Sequence, residues 1–254
     1  MELTREQFDK IAPTLPVQRG NVVVDNYTFL NAILYVMENG CKWRALPEHF
    51  GKWSTIYKRF RRWSESGVLE ETLDHIQKEL LAETDVTTLS LDSTLVKASP
   101  SAAGAVKKKG KQSFGRTKGG INTKISVIVA NSTTLVGFRI APGNFGDAPE
   151  GRALLQSLDT SPFEDSLLLM DRAYEGDETR ALAVAKGLKP VVPPKSNRKE
   201  PWEYDKDAYK RRNEVERFFR RIKEFRRIAT RYEKLDITFI TCLVLAFIFI
   251  MLQN

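Results

Sequence analysis

Asp92 and Asp171 are the two acids of this chain that surface charge explains least well. Asp92 lies inside LDSTLV, a run that reads as a strand. A charged side chain there is costly unless it is paired or binds a metal ion. Asp171 closes SLLLMD, an apolar run suited to a buried central strand. Open α/β sheets present functional groups at the carboxyl ends of their strands. If the two strands are neighbours, a third carboxylate on a packed C-terminal helix can approach both. Two strand acids and one helix acid suit divalent ions with oxygen ligands. A pair of such ions stabilises the attacking and leaving oxygens of phosphodiester chemistry. Each acid also has a plainer use. Asp92 can cap a turn or pair with Lys97, Asp171 can pair with Arg172, and Glu216 can pair with Arg212 or Arg220 along a helix.

The segment from Tyr209 to Lys234 surrounds such chemistry with positive charge. It holds 11 Lys or Arg against 4 Glu, so 11 − 4 leaves +7. Its periodicity predicts a helix. At roughly 100° per residue, Val215, Phe218, Phe219, Ile222 and Phe225 share an apolar arc. Tyr209, Arg212, Glu216 and Lys223 share a neighbouring arc about 60° wide. A solvated helix balances acids and bases at i,i+4. An excess of bases this large fits a polyanionic partner better.

The elements that must position these residues fall into two regions. Residues 1–82 are expected to be all-helical, with Thr4 as an N-cap and Gly40 and Gly67 as helix stops. Within them KWSTIYKRFRRWSESG carries Trp53, Ile56, Phe60 and Trp63 as an apolar stripe, with Lys58, Arg59, Arg61 and Arg62 around it. Helix, short connection and basic helix suggest a helix-turn-helix module. The plainer reading is a helical bundle with a solvated basic face; charge and geometry favour DNA. Residues 83–254 change texture. A strand over TTLSLDSTLVKA leads to a basic, glycine-rich loop holding Lys107, Lys108 and Lys109. Two β-branched runs follow, joined at Asn131 and Ser132 as a hairpin. Helix, strand, helix, strand and helix complete an α/β domain with an antiparallel front and a parallel back.

Bulk composition agrees with these assignments. The 254 residues are 42% hydrophobic and 28% charged, enough for a packed core, and the net charge of +8 points to nucleic acid or an anionic surface. Cys41 and Cys242 match no metal spacing, so a reducing cytoplasm is expected and disulfides are not. The opening MELTREQFDK mixes acids and bases and does not read as a signal peptide. Ile237 to Leu252 is apolar but shorter than the roughly 20 residues that span a bilayer. A buried helix or a subunit contact is expected there, with no membrane.

Several motifs together carry a resemblance. Tyr209, Arg212, Glu216 and Lys223 form Tyr-x2-Arg-x3-Glu-x6-Lys. With IATRYEK, LDSTLVKA, LMDRAYEGD, GGINTKI, DAPEGR and WRALPEHFGKWSTIYKRFRRW, the chain resembles bacterial insertion-sequence DDE transposases. The likeness is to the fifth family, in the superfamily it shares with the fourth. It covers nearly the whole chain. Ser99, Ser126 and Gly146 stand in neighbourhoods where relatives often carry histidine.

The resemblance implies an RNase H-like catalytic domain with Asp92, Asp171 and Glu216 as metal-binding acids. Helix geometry agrees on the third. Glu214 points about 160° and Glu224 about 80° away from Glu216, which alone shares its arc with Tyr209, Arg212 and Lys223. The implied cofactors are two Mg²⁺ ions, with Mn²⁺ as a substitute. The implied activity is cleavage of transposon ends and strand transfer into target DNA. The partners would be transposon-end and target DNA, on a homodimer or higher oligomer in the bacterial cytoplasm, at the nucleoid. Tyr209, Arg212 and Lys223 would hold DNA near the acids, and Lys58, Arg59, Arg61, Arg62 and Lys107 to Lys109 would add duplex binding. Two rivals keep the same sequence features: a non-catalytic DNA-binding regulator derived from a transposase, and a nuclease of the same fold.

Overall fold

A computed structural model describes residues 1–103 and 110–253. Lys107, Lys108 and Lys109 lie outside the described residues. Along the chain run α1 (Arg5–Ile11), α2 (Asn26–Asn39), α3 (Trp53–Ser66), α4 (Val68–Ala82), β1 (Thr88–Ala98) and α5 (Pro100–Ala103). Next come β2 (Gly115–Thr117), β3 (Gly120–Val129), β4 (Leu135–Pro142), α6 (Asp147–Ser157), β5 (Leu167–Met170), α7 (Asp177–Ala185) and β6 (Lys189–Val191). The C-terminal part holds α8 (Lys206–Tyr209), α9 (Asn213–Glu224), α10 (Arg226–Ala229), β7 (Thr230–Arg231) and α11 (Asp236–Met251).

These elements form two compact units. One comprises Met1–Glu79, Lys97–Gln112 and Arg221–Asn254; the other comprises Leu80–Val96 and Ser113–Arg220. The first unit is helical for local reasons. Thr4 caps α1 in a reciprocal box, accepting from the Gln7 amide at 3.1 Å while the Gln7 side chain accepts from the Thr4 amide at 3.0 Å. Gly40 (φ 63°) and Gly67 (φ 71°) end α2 and α3 in left-handed conformations that glycine adopts without strain. Phe29, Leu30, Ile33 and Leu34 of α2 and Ile56, Phe60 and Trp63 of α3 are buried. α11 packs on both helices and buries almost every side chain from Thr238 to Met251. No helix among the described residues is long and apolar enough to cross a membrane.

The second unit is built on a mixed sheet, RNase H-like in order. β3 pairs antiparallel with β4 and with the short β2, and β1 lies on the far side of β3 from β4. β1, β5 and β6 are parallel. β2 falls in a stretch that composition reads as loop. The β3–β4 connection spans 130–134, longer than a junction at Asn131 and Ser132, because the Asn131 side chain accepts from the amides of Thr133 and Thr134 and widens the turn. Leu89, Leu91, Ile128, Leu154, Leu168, Met170 and Tyr174 form the core of this unit. A Cβ on Gly151 would lie 2.5 Å from the Tyr174 ring, so only glycine lets α6 approach so closely.

The basic stretch is not one helix. Lys210–Arg212 form a 3-10 turn between α8 and α9, and the chain turns extended at Phe225 (ψ 101°) before α10. The break at the buried Phe225 lets the chain after it fold arginines inward instead of continuing along one face.

Candidate active site

The parallel register of β1 and β5 sets the two strand acids. Thr88, Leu89, Ser90 and Leu91 pair in turn with Leu167, Leu168, Leu169 and Met170. Asp92 and Asp171 are the next residues on the two strands, so both stand at the carboxyl end of β5. β1 runs on past this point while β5 stops, and Asp171 caps the 3-10 turn Arg172–Tyr174, its side chain accepting from the Arg172 amide.

Asp92 is held from two sides. Its Oδ1 accepts from the Ser93 amide at 2.7 Å, and its Oδ2 accepts from Arg212 Nη1 at 2.8 Å. The other terminal nitrogen of Arg212 donates to Glu216 Oε1 at 2.6 Å. One guanidinium thus links a strand acid to a helix acid. Burial pushes the Asp92 carboxyl above its ordinary range and Asp171 adds to this, against the Ser93 amide and Arg212. Arg212 moves up: burial opposes its charge, but Asp92, Tyr209, Asp171 and Glu216 outweigh it. Tyr209 lies under the Arg212 guanidinium at 5.9 Å and against Tyr204. Burial raises its phenol, although Arg212 pulls the other way.

α9 presents Glu216 because its apolar face is fully committed. Val215, Phe218, Phe219 and Ile222 are buried, which turns Glu216 toward Arg212. Glu214 serves structure instead. It accepts from the Ser132 amide at 3.0 Å and pairs with Arg217 at 2.9 Å. Lys223 follows two turns along α9 and is exposed.

Sequence reasoning gave no role to a second group of polar residues beside these acids. Ser93 Oγ donates to Asp147 Oδ1 at 2.6 Å, and the buried Lys124 ammonium pairs with the same oxygen. The buried Tyr174 hydroxyl lies near Ser93, Asp92, Asp147 and Asp171; burial pushes its pKa well up, against the Ser93 side chain. These residues sit in the GGINTKI, DAPEGR and DRAYEGD motifs and beside Asp92. The motifs were visible; their meeting point was not.

Among the described residues, no three Asp, Glu, His or Cys groups are gathered as metal ligands. Between Asp92 and Glu216 it is Arg212 that balances the charge. The donor set nevertheless fits a hard divalent ion, because carboxylate oxygens are what such ions take.

The basic residues of α3 divide. Lys58 and Arg62 are exposed. They line a cleft of about 540 Å³ with Gln18, Arg19 and Trp63. Arg59 is turned inward. It donates to the Val24 carbonyl at 3.1 Å and to Asn26, and it stacks on Phe29 (4.2 Å) and Trp63 (4.9 Å). Burial and Arg62 pull its pKa down to about 10. Arg61 pairs with Glu65 at 2.8 Å, which raises its pKa.

Residues 84–251 match the family described as "Transposase DDE domain". The chain belongs to the DDE transposases. Residues 3–73 of this transposase match a second family, described as "Putative transposase of IS4/5 family". It is 33% identical over 116 residues to "Putative transposase for insertion sequence element IS6501" of Brucella ovis, covering 45% of this chain and 85% of that protein. It is 42% identical over 86 residues to "Uncharacterized protein y4sN" of Sinorhizobium fredii, covering 34% of this chain and 66% of that one. Among solved structures it is similar to the chain of a piggyBac transposase synaptic complex with hairpin DNA, with a TM-score of 0.39 and 11% identity. That match covers 76% of this transposase and 47% of the piggyBac chain. The Mos1 transposase paired-end complex gives a TM-score of 0.30 at 11% identity, covering 84% and 79%. DDE transposases are DNA-cleaving enzymes, and the family assignment extends over both the helical region and the sheet.

Proposed function

We propose that this DDE transposase cuts the ends of its own mobile element and joins them to target DNA, using Asp92, Asp171 and Glu216. The observation that supports this reading is that the parallel register sets Asp92 beside Asp171, with Arg212 tying Asp92 to Glu216. The three carboxylates would hold two Mg²⁺ ions, or Mn²⁺ in their place. Bound there, the ions would supply nucleophile activation and charge stabilisation at the attacking and leaving oxygens. Cleavage is attack of water on a phosphorus at the element's end, expelling a 3′-oxygen. Joining is in-line attack of that 3′-hydroxyl on a target phosphorus, one P–O bond formed for each one broken.

The chain's own residues supply the rest. Arg212 exchanges its carboxylate partners for a DNA phosphate as the duplex arrives, and Tyr209 and Lys223 border the same path. Phosphate contacts of this kind fix register without reading sequence. Residues 1–82 recognise the element's ends, with the exposed Lys58 and Arg62 on phosphates, and residues 83–254 carry the chemistry. Lys107 to Lys109 extend the basic surface. Two or more copies act together on paired ends, at the nucleoid in the bacterial cytoplasm.

The test is incubation of the full chain with its own flanking DNA ends and Mg²⁺, reading nicked and joined products. Both products are expected. Cleavage without joining would make the protein a nuclease of the same fold. Binding without either product would make it a non-catalytic regulator.

A further inference from the structure

We infer that Lys124, Asp147 and Ser93 form a positioning chain that fixes the carboxylate of Asp92 for metal binding. This rests on the acid site proposed above.

The chain begins with a buried charge. Lys124 lies in the middle of β3, and its side chain is only 6% exposed. A buried ammonium is costly to desolvate, and replacing such a pair by apolar groups is often neutral or stabilising. Simple stability is therefore a weak reason for it. Its partner is Asp147, the first residue of α6. The carboxylate oxygen that takes the Lys124 ammonium also accepts the Ser93 hydroxyl at 2.6 Å. Ser93 in turn gives its amide to Asp92 Oδ1 at 2.7 Å. Three elements, β3, α6 and β1, are thus locked to one another, and the lock ends on the strand acid. Because Asp147 is already engaged by Lys124, it is held as an acceptor, and the Ser93 hydroxyl has a fixed partner. That bond ties β1 to α6 just past the end of β5. The Ser93 amide that meets Asp92 belongs to the same tied stretch of backbone.

The arrangement places Lys124, Asp147 and Ser93 as positioning residues. Arg212 holds the other oxygen of Asp92 from α9's side, but it is also the group expected to leave for a phosphate. Once it leaves, the Ser93 side is the remaining constraint on Asp92. Partners that hydrogen-bond a metal-ligating group typically set its affinity by 10–100-fold.

The experiment is Mn²⁺ titration of the full chain without DNA, with free Mn²⁺ read by electron paramagnetic resonance. Thermal melting first establishes that each variant folds. Ser93→Ala is expected to weaken Mn²⁺ binding about 10-fold, at the lower end of that range. Ser93→Thr, which keeps the hydroxyl, is expected to restore it. Asp147→Asn, which removes the charge but not the volume, is expected to weaken binding at least as much. If Asp147→Asn does not fold, the Ser93→Ala and Ser93→Thr pair decides. Wild-type affinity in a folded Ser93→Ala would overturn the chain, provided Asp92→Asn and Glu216→Gln lose binding. Wild-type affinity in Asp92→Asn and Glu216→Gln would instead remove the acid site itself, and the positioning chain with it.

Discussion

Arg212 and Arg231 belong to the same basic stretch, and each pairs with an acid, yet their surroundings are opposite. Arg231 is fully buried and donates to Asp236 Oδ1 at 2.8 Å and to the Glu233 carbonyl at 3.0 Å. Its neighbour Arg227 is nearly as sealed, pairing with Glu233 at 2.6 Å and reaching the Cys41 carbonyl at 2.7 Å. Arg212 and Asp92 keep 18% and 19% of their side chains exposed, and Glu216 keeps 45%. Burial pulls the Arg231 guanidinium down despite Asp236, whereas the acids around Arg212 push it up. A sealed pair can exchange partners only by unfolding. A half-open pair can trade a carboxylate for an incoming phosphate or ion. Composition is shared; access to solvent separates the sealed scaffold from the candidate site.

The comparison breaks most visibly at Arg231. Arg231→Met removes the buried guanidinium that donates to Asp236 and should cost about 3–5 kcal/mol, read by urea denaturation. A loss under about 1 kcal/mol would mean that the sealed cluster is no more structural than an exposed pair.

Glu216→Gln is the matching test of the open cluster. It keeps side-chain size and helix propensity nearly unchanged. Folding and end-DNA binding should survive, while cleavage and joining fall more than about 100-fold, beyond what a hydrogen-bonding partner alone controls. Glu214→Gln changes net charge equally and should keep the chemistry. Activity lost in Glu214→Gln and kept in Glu216→Gln would reverse the roles assigned to the two acids.

The same contrast repeats on α3, where Arg62 is open and Arg59 is engaged. Replacing Lys58 and Arg62 by Ala should weaken DNA binding and lower the salt-dependence slope by about 2, near 0.9 per phosphate contact. Arg59→Ala should act mainly on stability. An unchanged slope in the double variant would move phosphate recognition elsewhere.

Asp92 and Asp147 should differ in the sign of their pH dependence. The Asp92 carboxyl lies above its ordinary 3.8 in the folded chain. Its contribution to stability is present below that value and is lost as pH rises through the folded pKa. Asp147 lies below its ordinary 3.8: burial raises it, but Lys124 and Ser93 outweigh burial. Its contribution is present above 3.8 and is lost as pH falls through the folded pKa. Urea denaturation should therefore show Asp92→Asn gaining on the wild type as pH rises above 3.8, and Asp147→Asn losing ground as pH rises toward 3.8 from below. The same sign for both would show that the two acids do not occupy opposite electrostatic settings.

The smallest effect is expected at Arg61, whose i,i+4 pair with Glu65 is exposed. Arg61→Ala should change stability by about 0–1 kcal/mol in the same denaturation assay. A larger loss would mean that exposure is a poor guide to role in this chain.

Much of the fold was legible in local patterns. Gly40 and Gly67 were readable as helix stops because only their conformation permits the turn, and both are left-handed. The α/β order after residue 83 was readable because strand and helix periods differ. A single helix from Tyr209 to Lys234 is not what forms: a 3-10 turn at Lys210–Arg212, the extended Phe225 and the strand at Thr230–Arg231 interrupt it, and a periodic pattern does not register such breaks. The hairpin at Asn131 was placed too tightly, because side-chain acceptance from two amides lengthens a turn without changing its composition. The inward turn of Arg59 was invisible for a related reason. Its partners Asn26 and Phe29 lie on another helix, and nothing in WSTIYKRFRRW distinguishes it from Arg62.

For the candidate site the division is sharper. Periodicity alone put Asp92 within a strand, Asp171 at a strand end and Glu216 on the arc of Arg212, because each pattern is set by a few neighbouring residues. The bond from Arg212 to Asp92 spans 120 positions, and the bond from Ser93 to Asp147 spans 54. No local period encodes such pairs. They form because the parallel register of β1 and β5, the packing of α6 through Gly151 and the buried face of α9 bring those side chains together. The sequence determined which residues could do the chemistry; the tertiary structure decided which of them meet, since desolvation makes an unpaired buried charge too costly to keep.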